Sequence, residues 1–298
     1  MVKTFDDIRK LAKKRGKKVI SIAMPESLSI LEAVKELKEE GMIDAVLVGD
    51  SENIKKLLDD VRLDIDRKNI IHATDPVEAG YLSVQAIRNG AADILMKGRI
   101  PTPDLMKAVL DKEKGLRKGN LLSHVAVAEA PNYDRLLMVS DGGINIRPDV
   151  EKKIQIIKNA IVLAKSLGIA HPNIGILCPI ERVNPKIPET VDAAELVKLT
   201  EKGEFGDVSL EGPIAMDVIL SEEAAAKKGI ESKIAGKTDI IIVHDVTTGN
   251  AILKTLIWLV GAKVGGVVLG AKVPIVLLSR SDTKKEKMLS MLLSIVCC

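Results

Sequence analysis

The chain alternates short apolar runs, rich in β-branched residues, with longer segments in which apolar residues recur every three or four positions. This alternation of strand and helix periods predicts βα units and a mainly parallel sheet. Several predicted strands are apolar throughout, which is typical of a sheet covered by helices on both faces. The predicted strands are Lys18–Ala23, Ala45–Val48, Asn69–His72, Ile94–Met96, Val125–Ala128, Leu136–Val139, Ile174–Leu177, Ile240–Val243, Val267–Leu269 and Ile275–Leu278. The predicted helices are Ser29–Glu40, Ser51–Leu58, Pro76–Arg88, Thr102–Leu110, Asp149–Leu167, Thr190–Glu201, Pro213–Lys227, Asn250–Val260 and Asp282–Ile295.

Two glycine-containing segments divide this pattern into domains. The first, Asp141–Gly143, precedes a long predicted helix, and the second, Gly265–Gly270, precedes the last predicted strand. We therefore predict a first α/β domain of residues 1–142 plus 271–298 and a second of residues 143–270. A chain of 298 residues is long enough to bury a core in each.

Aromatic residues are scarce, and this scarcity excludes some functions. Hydrophobic residues make up 46% of the chain, yet it has only two Phe, two Tyr and one Trp. Proteins that bind single-stranded nucleic acid stack bases on aromatic rings, and this chain offers few. Its 44 basic residues nearly balance its 41 acidic ones, so no general signal for a polyanion is present. We predict no nucleic-acid partner.

The cysteines and the chain start favour a cytoplasmic protein without a membrane segment. Three cysteines, Cys178, Cys297 and Cys298, are too few and too poorly spaced for a disulfide scaffold. The first 15 residues are charged and contain no apolar core of a signal peptide. Lys263 and Lys272 interrupt the most apolar region, which falls short of the ~18 residues that would suggest a membrane span.

Three polar segments follow predicted strands, where ligands gather in α/β sheets because helix N-termini present free N–H groups there. In the first segment, Lys97 and Arg99 flank Gly98, which allows a tight turn. Thr102 can cap the next helix, with Pro103 at its first position. This segment is either an anion-binding turn or an ordinary βα turn with solvated cations.

The second segment runs from the last predicted strand into Ser279, Arg280, Ser281 and Asp282. Its hydroxyl groups, backbone N–H groups and guanidinium group suit a phosphate. The alternative is a plain capping turn, with Ser281 or Asp282 as the N-cap.

The third segment, His244–Asn250, again lies between a predicted strand and a helix. Gly249 would let a ligand approach the backbone closely, and the Asn250 amide can donate or accept a hydrogen bond. A glycine-containing turn capped by Asn250 explains the same residues without a ligand.

Metal and nucleotide motifs are missing from the sequence. No His, Cys or carboxylate spacing matches a zinc, EF-hand or P-loop pattern, and no G-x-G-x-x-G motif follows a strand. Cys178, at a strand end, is more typical of a small buried hydrophobic residue than of a nucleophile. We expect no metal site, and the kinase, NTPase and Rossmann dehydrogenase classes are disfavoured.

Taken in order, the polar segments resemble the phosphate acetyl/butyryltransferase family over nearly the whole chain. The Ser123-His124-Val125 element and the Ser-Arg-x-Asp ending look closer to the butyryl branch, whereas His244 replaces a proline that is usual there. The resemblance rests on Met96-Lys97-Gly98, Thr102, Ser123-His124-Val125, Asp141, Asn145, Pro148, Asn159-Ala160, Gly168, Glu181, Asn184-Pro185, Glu211-Gly212-Pro213, Asp217, Lys228-Gly229, Gly249-Asn250, Lys254, Pro274 and Ser279-Arg280.

The resemblance implies an α/β fold of two three-layer α/β/α domains with a cleft between them, as in isopropylmalate dehydrogenase, and often a homo-oligomer. It implies the reversible reaction of acyl-CoA with phosphate to give acyl phosphate and CoA, with no cofactor beyond the substrate CoA. Transfer of acetyl instead of butyryl, an acyl-carrier-protein-dependent phosphate acyltransferase, and a non-catalytic acyl-CoA-binding homologue remain alternatives. A dehydrogenase of the same fold is disfavoured because its metal-binding aspartate cluster is missing.

The resemblance also implies roles for individual residues. Ser279 and Arg280 would bind phosphate and stabilise the transition state, and Glu286 would deprotonate the CoA thiol. Asp282 is the rival base, because Glu286 stands where the family commonly has aspartate and because Lys284, Lys285 and Lys287 crowd it on a face that could simply be solvated. The expected substrate-binding residues are Lys97, Gly98, Thr102, Ser123, His124, Gly249, Asn250 and Asp282.

Overall fold

A computed structural model describes residues 2–277, 279 and 282–298. The chain divides into two compact units. The N-terminal unit comprises Ile8–Asn120 and Gly265–Cys298, and the central unit comprises Met1–Asp7 and Leu121–Val264. These limits differ from the predicted ones near residues 142 and 270. The strand pair at residues 123–140 belongs to the central unit because it hydrogen-bonds to the sheet of that unit.

The secondary-structure elements alternate as the hydrophobic pattern predicts. In chain order they are α1 (Phe5–Lys14), β1 (Lys18–Ala23), α2 (Leu28–Glu39), β2 (Ile43–Gly49), α3 (Ser51–Val61), a 3-10 turn (Arg67–Asn69), β3 (Ile70–His72), α4 (Pro76–Arg88), β4 (Ile94–Lys97), α5 (Thr102–Leu110), β5 (Ser123–Glu129), β6 (Leu137–Ser140), α6 (Val150–Ser166), β7 (Asn173–Leu177), α7 (Pro188–Glu201), β8 (Ser209–Ile214), α8 (Met216–Leu220), α9 (Glu222–Lys228), β9 (Ile240–Ile242), α10 (Val246–Trp258), β10 (Lys263–Leu269), β11 (Ile275–Val276) and α11 (Lys284–Val296).

The strands of the N-terminal unit lie in the order β3-β2-β1-β4-β11-β10. All neighbours run parallel except β10, which is antiparallel to β11. The last four residues of β1 and all four of β4 are buried, so helices cover both faces of the sheet. Helix α2 packs on α11, and α4 packs on α5. The register pairs Ala23 with Lys97, so the carboxyl ends of β1 and β4 lie side by side.

The strands of the central unit lie in the order β5-β6-β9-β7-β8. Strand β5 is antiparallel to β6, and the other neighbours are parallel. Helices α6 and α7 pack together, and α8 packs on α9. The side chains of Val139, Ile219, Ile241 and Leu253 join strands β6 and β9 to helices α8 and α10 in one aliphatic cluster. The predicted α/β class with a mainly parallel sheet is confirmed.

Two elements were not predicted from the hydrophobic pattern. Helix α1 is rich in charged residues, which obscured its apolar periodicity, yet Phe5, Ile8 and Ala12 form a buried stripe along it. Strand β8 pairs only with β7, and of its residues only Leu210 and Ile214 are buried. An edge strand with a proline and few buried residues has a weak sequence signal. The predicted helix from Pro213 is therefore wrong at its start, because β8 continues to Ile214.

No helix in the described part of the chain is both long and apolar enough to cross a lipid bilayer.

Candidate active site

A cavity of about 500 Å³ lies within the N-terminal unit, at the carboxyl ends of β1 and β4. This strand-end cavity brings together four of the residues that the sequence predicts for the site. It also contains two buried charged residues that the sequence analysis missed as site residues. The residues that line it are Glu26, Ser27, Ser29, Ile30, Lys97, Gly98, Arg99, Ser279, Asp282 and Lys287.

Lys97 reaches the strand-end cavity as the last residue of β4 and is only 6% exposed. The turn after it depends on Gly98, whose N–H donates to the carbonyl oxygen of Ala23 at 2.8 Å. A Cβ atom at Gly98 would overlap the carbonyl oxygen of Met24, so only glycine lets the two strand ends approach this closely. A buried ammonium group is thereby held at the cavity wall.

The N-terminus of α2 forms another part of the cavity wall, through Ser27, Ser29 and Ile30. Ser27 is the N-cap, but its side chain makes no capping hydrogen bond, and the first turn has no acidic residue. The positive end of the helix dipole is therefore not neutralised by the helix itself. This arrangement favours an anion beside the buried lysine.

Lys287 is the second buried cation of the cavity, with 5% exposure. It lies in α11, and its ammonium group donates to the carbonyl oxygen of Asp282. The sequence predicts a solvated charged face that carries both Lys287 and Lys284, but Lys284 instead pairs with Glu36 of α2 at 2.9 Å. That hydrogen bond lowers the pKa of Glu36 and raises the pKa of Lys284. The sequence neighbours of Lys287 gave no signal that separates it from Lys284, because its burial depends on the packing of α11 in the fold.

Ser279 and Asp282 form a small hydrogen-bonded turn at the cavity. The Ser279 N–H donates to Asp282 Oδ2 at 2.7 Å, and the Asp282 N–H donates to the Ser279 carbonyl oxygen at 3.2 Å. Both residues line the cavity, and their roles toward substrate stay predictions. Arg280 lies outside the described residues, so its role stays a prediction.

Glu286, the base that the resemblance implies, takes part in the N-terminal cap of α11. Its Oε2 accepts the N–H of Thr283 at 2.7 Å, while its own N–H donates to Thr283 Oγ1 at 3.3 Å. This reciprocal capping box satisfies two helix-end donors. Glu286 does not line the cavity, whereas Asp282 does. Of the two carboxylates that the sequence left open, Asp282 is the one that lines this cavity, and the identity of the base stays a prediction.

Thr102 does not cap α5 as expected. It is the first residue of the helix and is exposed, and Pro101 occupies the N-cap position. The proline at 101 already sets the turn before the helix, so the hydroxyl of Thr102 is not needed as a cap. Its expected contact with substrate stays a prediction.

Glu26 is a cavity residue that the sequence analysis missed. It lies three residues after β1 and is 8% exposed. Its Oε1 accepts the backbone N–H of Asp50 at 2.9 Å. Gly49 makes room for it, because a Cβ atom there would overlap Glu26 Oε1. The signal was available, since a carboxylate just after a buried strand lies at the same sheet edge as Lys97.

In the central unit, Asp141 is the centre of a hydrogen-bonded turn. Its carboxylate accepts the N–H groups of Gly143 at 2.8 Å, Ile144 at 2.9 Å and His124 at 3.2 Å. It also accepts Nδ2 of Asn145 at 2.6 Å. The side chain is 1% exposed, and the donors around it account for both of its oxygens. Asp141 therefore holds the loop after β6 against the start of β5.

Ser123 is fully buried beside this turn. Its hydroxyl accepts a hydrogen bond from Asn159 Nδ2 of α6 at 2.8 Å. The next residue, His124, has its carbonyl oxygen bonded to the Ser140 hydroxyl at 2.9 Å. These contacts tie β5 to α6 and β6, which is a structural role. Substrate binding by Ser123 and His124 stays a prediction.

Gly249 lies inside α10, which begins at Val246, four residues earlier than predicted. Asp245 caps the helix by accepting the Thr248 N–H at 2.8 Å. A Cβ atom at Gly249 would come within 2.7 Å of Gly142 Cα. Neighbouring backbone therefore fills the space on that side of Gly249, and its expected contact with a ligand stays a prediction. Asn250 lies exposed in the same helix and is not its cap.

Cys178 and His244 lie together in the central unit, with Sγ and Nε2 3.4 Å apart. Burial raises the pKa of Cys178 to about 12 and lowers the pKa of His244 to about 4. Both groups are therefore neutral near pH 7. A neutral thiol is a poor nucleophile, so Cys178 is a buried structural residue.

The strand-end cavity thus combines two buried lysines, a helix N-terminus and a serine, which together suit a phosphate group. The profile of one protein family, described as Phosphate acetyl/butaryl transferase, matches residues 72–295. The chain belongs to this family. The resemblance inferred from its motifs is confirmed.

Relatives in this transferase family match the chain almost end to end. The phosphate butyryltransferase of Clostridium acetobutylicum is 37% identical, over 99% of this chain and 98% of the relative. The phosphate acetyltransferase of Thermotoga maritima is 39% identical, over 98% of this chain and 99% of the relative. A branched-chain phosphotransacylase from Enterococcus faecalis has a solved structure with a TM-score of 0.82 and 32% identity, over 94% of this chain and 98% of that one. The identities do not choose between acetyl and butyryl transfer.

Proposed function

We propose that this family member transfers a butyryl group reversibly between CoA and phosphate. Family membership supports the acyl transfer, and the Ser-His-Val element at residues 123–125 supports the butyryl branch. The observation that carries the proposal is one cavity in which the buried cations Lys97 and Lys287 meet Ser279. Such a site binds the phosphoryl group that the reaction requires.

The cavity stabilises charge in two ways. Lys97 and Lys287 neutralise the phosphate, and their attraction is strong because both ammonium groups are shielded from water. The hydroxyl of Ser279 and the N-terminal N–H groups of α2 supply donors that are already in place. Donors fixed before the reaction stabilise the negative oxygen that forms at the acyl carbon, typically by ~10²–10³-fold for each donor.

Asp282 is the base in this proposal. A thiol with a pKa near 8.5 is mostly protonated at neutral pH, so proton removal by a positioned base accelerates attack by ~10²–10⁴-fold. Asp282 takes the S–H proton of CoA, and the sulfur attacks the carbonyl carbon of the acyl phosphate. The bond from that carbon to the phosphate oxygen then breaks, and phosphate leaves. No enzyme nucleophile is needed.

A thiol-release assay with phosphate and a panel of acyl-CoAs tests the function. We expect the highest kcat/KM with butyryl-CoA, and a loss of roughly 10–200-fold for each methylene removed from the preferred chain. Faster turnover of acetyl-CoA would make the protein a phosphate acetyltransferase instead. Absence of phosphate-dependent thiol release with every acyl chain, together with retained acyl-CoA binding, would leave the non-catalytic homologue.

CoA is proposed to bind without aromatic stacking, because the chain has only five aromatic residues. Its adenine would rest on aliphatic and backbone surfaces, and its phosphates on Lys or Arg side chains. Its affinity should then fall as salt screens those contacts. A CoA affinity that does not change with salt would contradict this mode of binding.

The remaining expectations are a cytoplasmic location, a homo-oligomer and no cofactor beyond the substrate CoA. The three cysteines are free thiols, which is consistent with a reducing compartment. Light scattering after gel filtration tests the oligomer. Dialysis against a chelator should leave turnover unchanged, and a loss restored by a divalent cation would show that a metal is required.

A further inference from the structure

Glu26 provides a hydrogen-bond acceptor in a cavity whose other charged lining residues are mainly cationic. Its Oε1 is bonded to the Asp50 N–H, but Oε2 is buried and has no hydrogen-bond partner among the described residues. Buried polar atoms in native proteins are nearly always paired, because an unpaired one loses its hydration without replacement. The side chain is more than nine-tenths buried and lines the cavity. Its unpaired oxygen therefore points to a donor on the ligand.

The position of Glu26 is built into the fold and is not that of a solvated carboxylate. Met24, at the end of β1, has a left-handed backbone with φ of 55°, which turns the chain before Glu26. The missing side chain of Gly49 leaves space for the carboxylate, and the Asp50 N–H orients it. The left-handed turn at Met24 and the hydrogen bond from Asp50 together hold this carboxylate in place.

The other cavity groups define what kind of ligand can satisfy Glu26. Lys97, Lys287 and the N-terminus of α2 are donors and attract an anion. Oδ2 of Asp282 already accepts the Ser279 N–H. An anion without a proton would place one of its oxygens against the carboxylate of Glu26, and the two acceptors would repel each other. An anion that carries its own O–H group satisfies the lysines and Glu26 together.

We propose that Glu26 makes the cavity prefer free phosphate, which carries a proton, over sulfate, by accepting a hydrogen bond from the P–O–H group of phosphate. This inference rests on the proposed function, in which the cavity holds phosphate. Near neutral pH, inorganic phosphate and arsenate keep at least one proton, whereas sulfate has none. Sites with a buried acceptor reject analogues that lack the matching donor, because the acceptor is then left unpaired.

Calorimetry on the full-length protein tests the selectivity directly. Phosphate, arsenate and sulfate are titrated at constant pH and ionic strength into the wild type, Glu26→Gln and Glu52→Gln. The last variant is the matched control, because Glu52 is an exposed glutamate of the same unit, with 74% of its side chain accessible. We expect the wild type and the control to bind phosphate and arsenate at least about tenfold more tightly than sulfate.

In Glu26→Gln the ratio should fall towards one, because the glutamine amide can donate to sulfate while its oxygen still accepts the Asp50 N–H. Equal affinity of the wild type for phosphate and sulfate would overturn the proposal. So would an unchanged ratio in Glu26→Gln, or phosphate binding too weak to measure. If Glu26→Gln does not fold, the ratio of phosphate affinity to sulfate affinity in the wild type still tests the proposal.

The donor on the ligand could also be the S–H group of CoA, and the same variant distinguishes the two. If Glu26→Gln keeps the anion ratio but loses CoA-dependent turnover, Glu26 contacts the thiol and the phosphate proposal fails. The thiol-release assay on the wild type tests the proposed function separately. If the protein selects phosphate over sulfate but releases no thiol, the proposed role of Glu26 in anion selection stands and the proposed acyl transfer is wrong.

Discussion

The strand-end cavity of the N-terminal unit and the Asp141 turn of the central unit use similar residues in different ways. Both lie at the ends of buried strands, and both contain residues of the family resemblance. In the central unit, Asp141 accepts five hydrogen bonds from four residues, and Ser123 is bonded to Asn159. In the cavity, Glu26 keeps an unpaired oxygen beside two buried lysines. The hydrogen-bonding capacity of the Asp141 carboxylate is used within the protein, whereas the unpaired oxygen of Glu26 is available to a ligand.

The largest expected effect is the loss of activity in Lys97→Met. The variant removes a cavity cation but keeps an unbranched buried side chain, so kcat/KM should fall by ~10²–10³-fold. The free energy of unfolding should change by less than about 1 kcal/mol, because burying an apolar end carries no cost of desolvating a charge. Acyl-transfer kinetics and urea unfolding measure both quantities. Lys107→Met, an exposed lysine of α5, is the control. A variant that unfolds but keeps its specific activity would assign Lys97 to the structure instead.

Asp141→Ala should produce the opposite result. It leaves the donors of the turn without their acceptor, so the free energy of unfolding should fall by about 3 kcal/mol. Asp141→Asn keeps an acceptor oxygen and should lose less. Urea unfolding at neutral pH compares the two variants. If Asp141→Ala is as stable as the wild type but inactive, Asp141 belongs to the active site and its assignment to a structural turn is wrong.

A smaller effect is expected from pH, through His244. Burial lowers its folded pKa to about 4 from 6.5, so between these values the unfolded chain binds a proton that the folded protein does not. Stability should therefore fall as pH drops through this window, by about 1–2 kcal/mol at pH 5. Urea unfolding at pH 7.5 and pH 5 measures the slope, and His244→Asn should reduce it. An equal slope in the variant would assign the pH dependence to other groups.

Ser123→Ala should cost about 1 kcal/mol of stability, because it removes one buried hydrogen bond. Asn159 Nδ2 also donates to the carbonyl oxygen of Leu121 at 2.9 Å, which limits the loss. Turnover should stay within about twofold if the hydroxyl is only structural. A rise of tenfold or more in KM for CoA or phosphate, measured in the thiol-release assay, would restore Ser123 to the substrate site.

The smallest effect is expected from Glu286→Gln. Glutamine also forms a capping box, so stability should change by less than about 0.5 kcal/mol. Activity should stay near that of the wild type, whereas Asp282→Asn should lower kcat by ~10²-fold or more. Thermal unfolding and the thiol-release assay measure the two effects. If Glu286→Gln is inactive and Asp282→Asn is active, the choice of base is reversed.

Much of the cavity could be predicted from residues that are near one another in sequence. Lys97, Gly98, Ser279 and Asp282 follow strands that end at one edge of a parallel sheet, and this rule places them together. Lys287 could not be distinguished from Lys284 by its neighbours in sequence alone. The difference arises because α11 packs on α2, where Lys284 meets Glu36 and Lys287 meets the cavity.

The pattern of the sequence by itself determined the α/β class, most strand and helix positions and the family, because apolar periodicity and local motifs are properties of neighbouring residues. Only the tertiary structure decided which polar groups are paired. The partner of Ser123 lies 36 residues away, and the room for Glu26 is made by Gly49, 23 residues later. Hydrogen-bond satisfaction depends on atoms that folding brings together from distant parts of the sequence, so local sequence patterns do not show it.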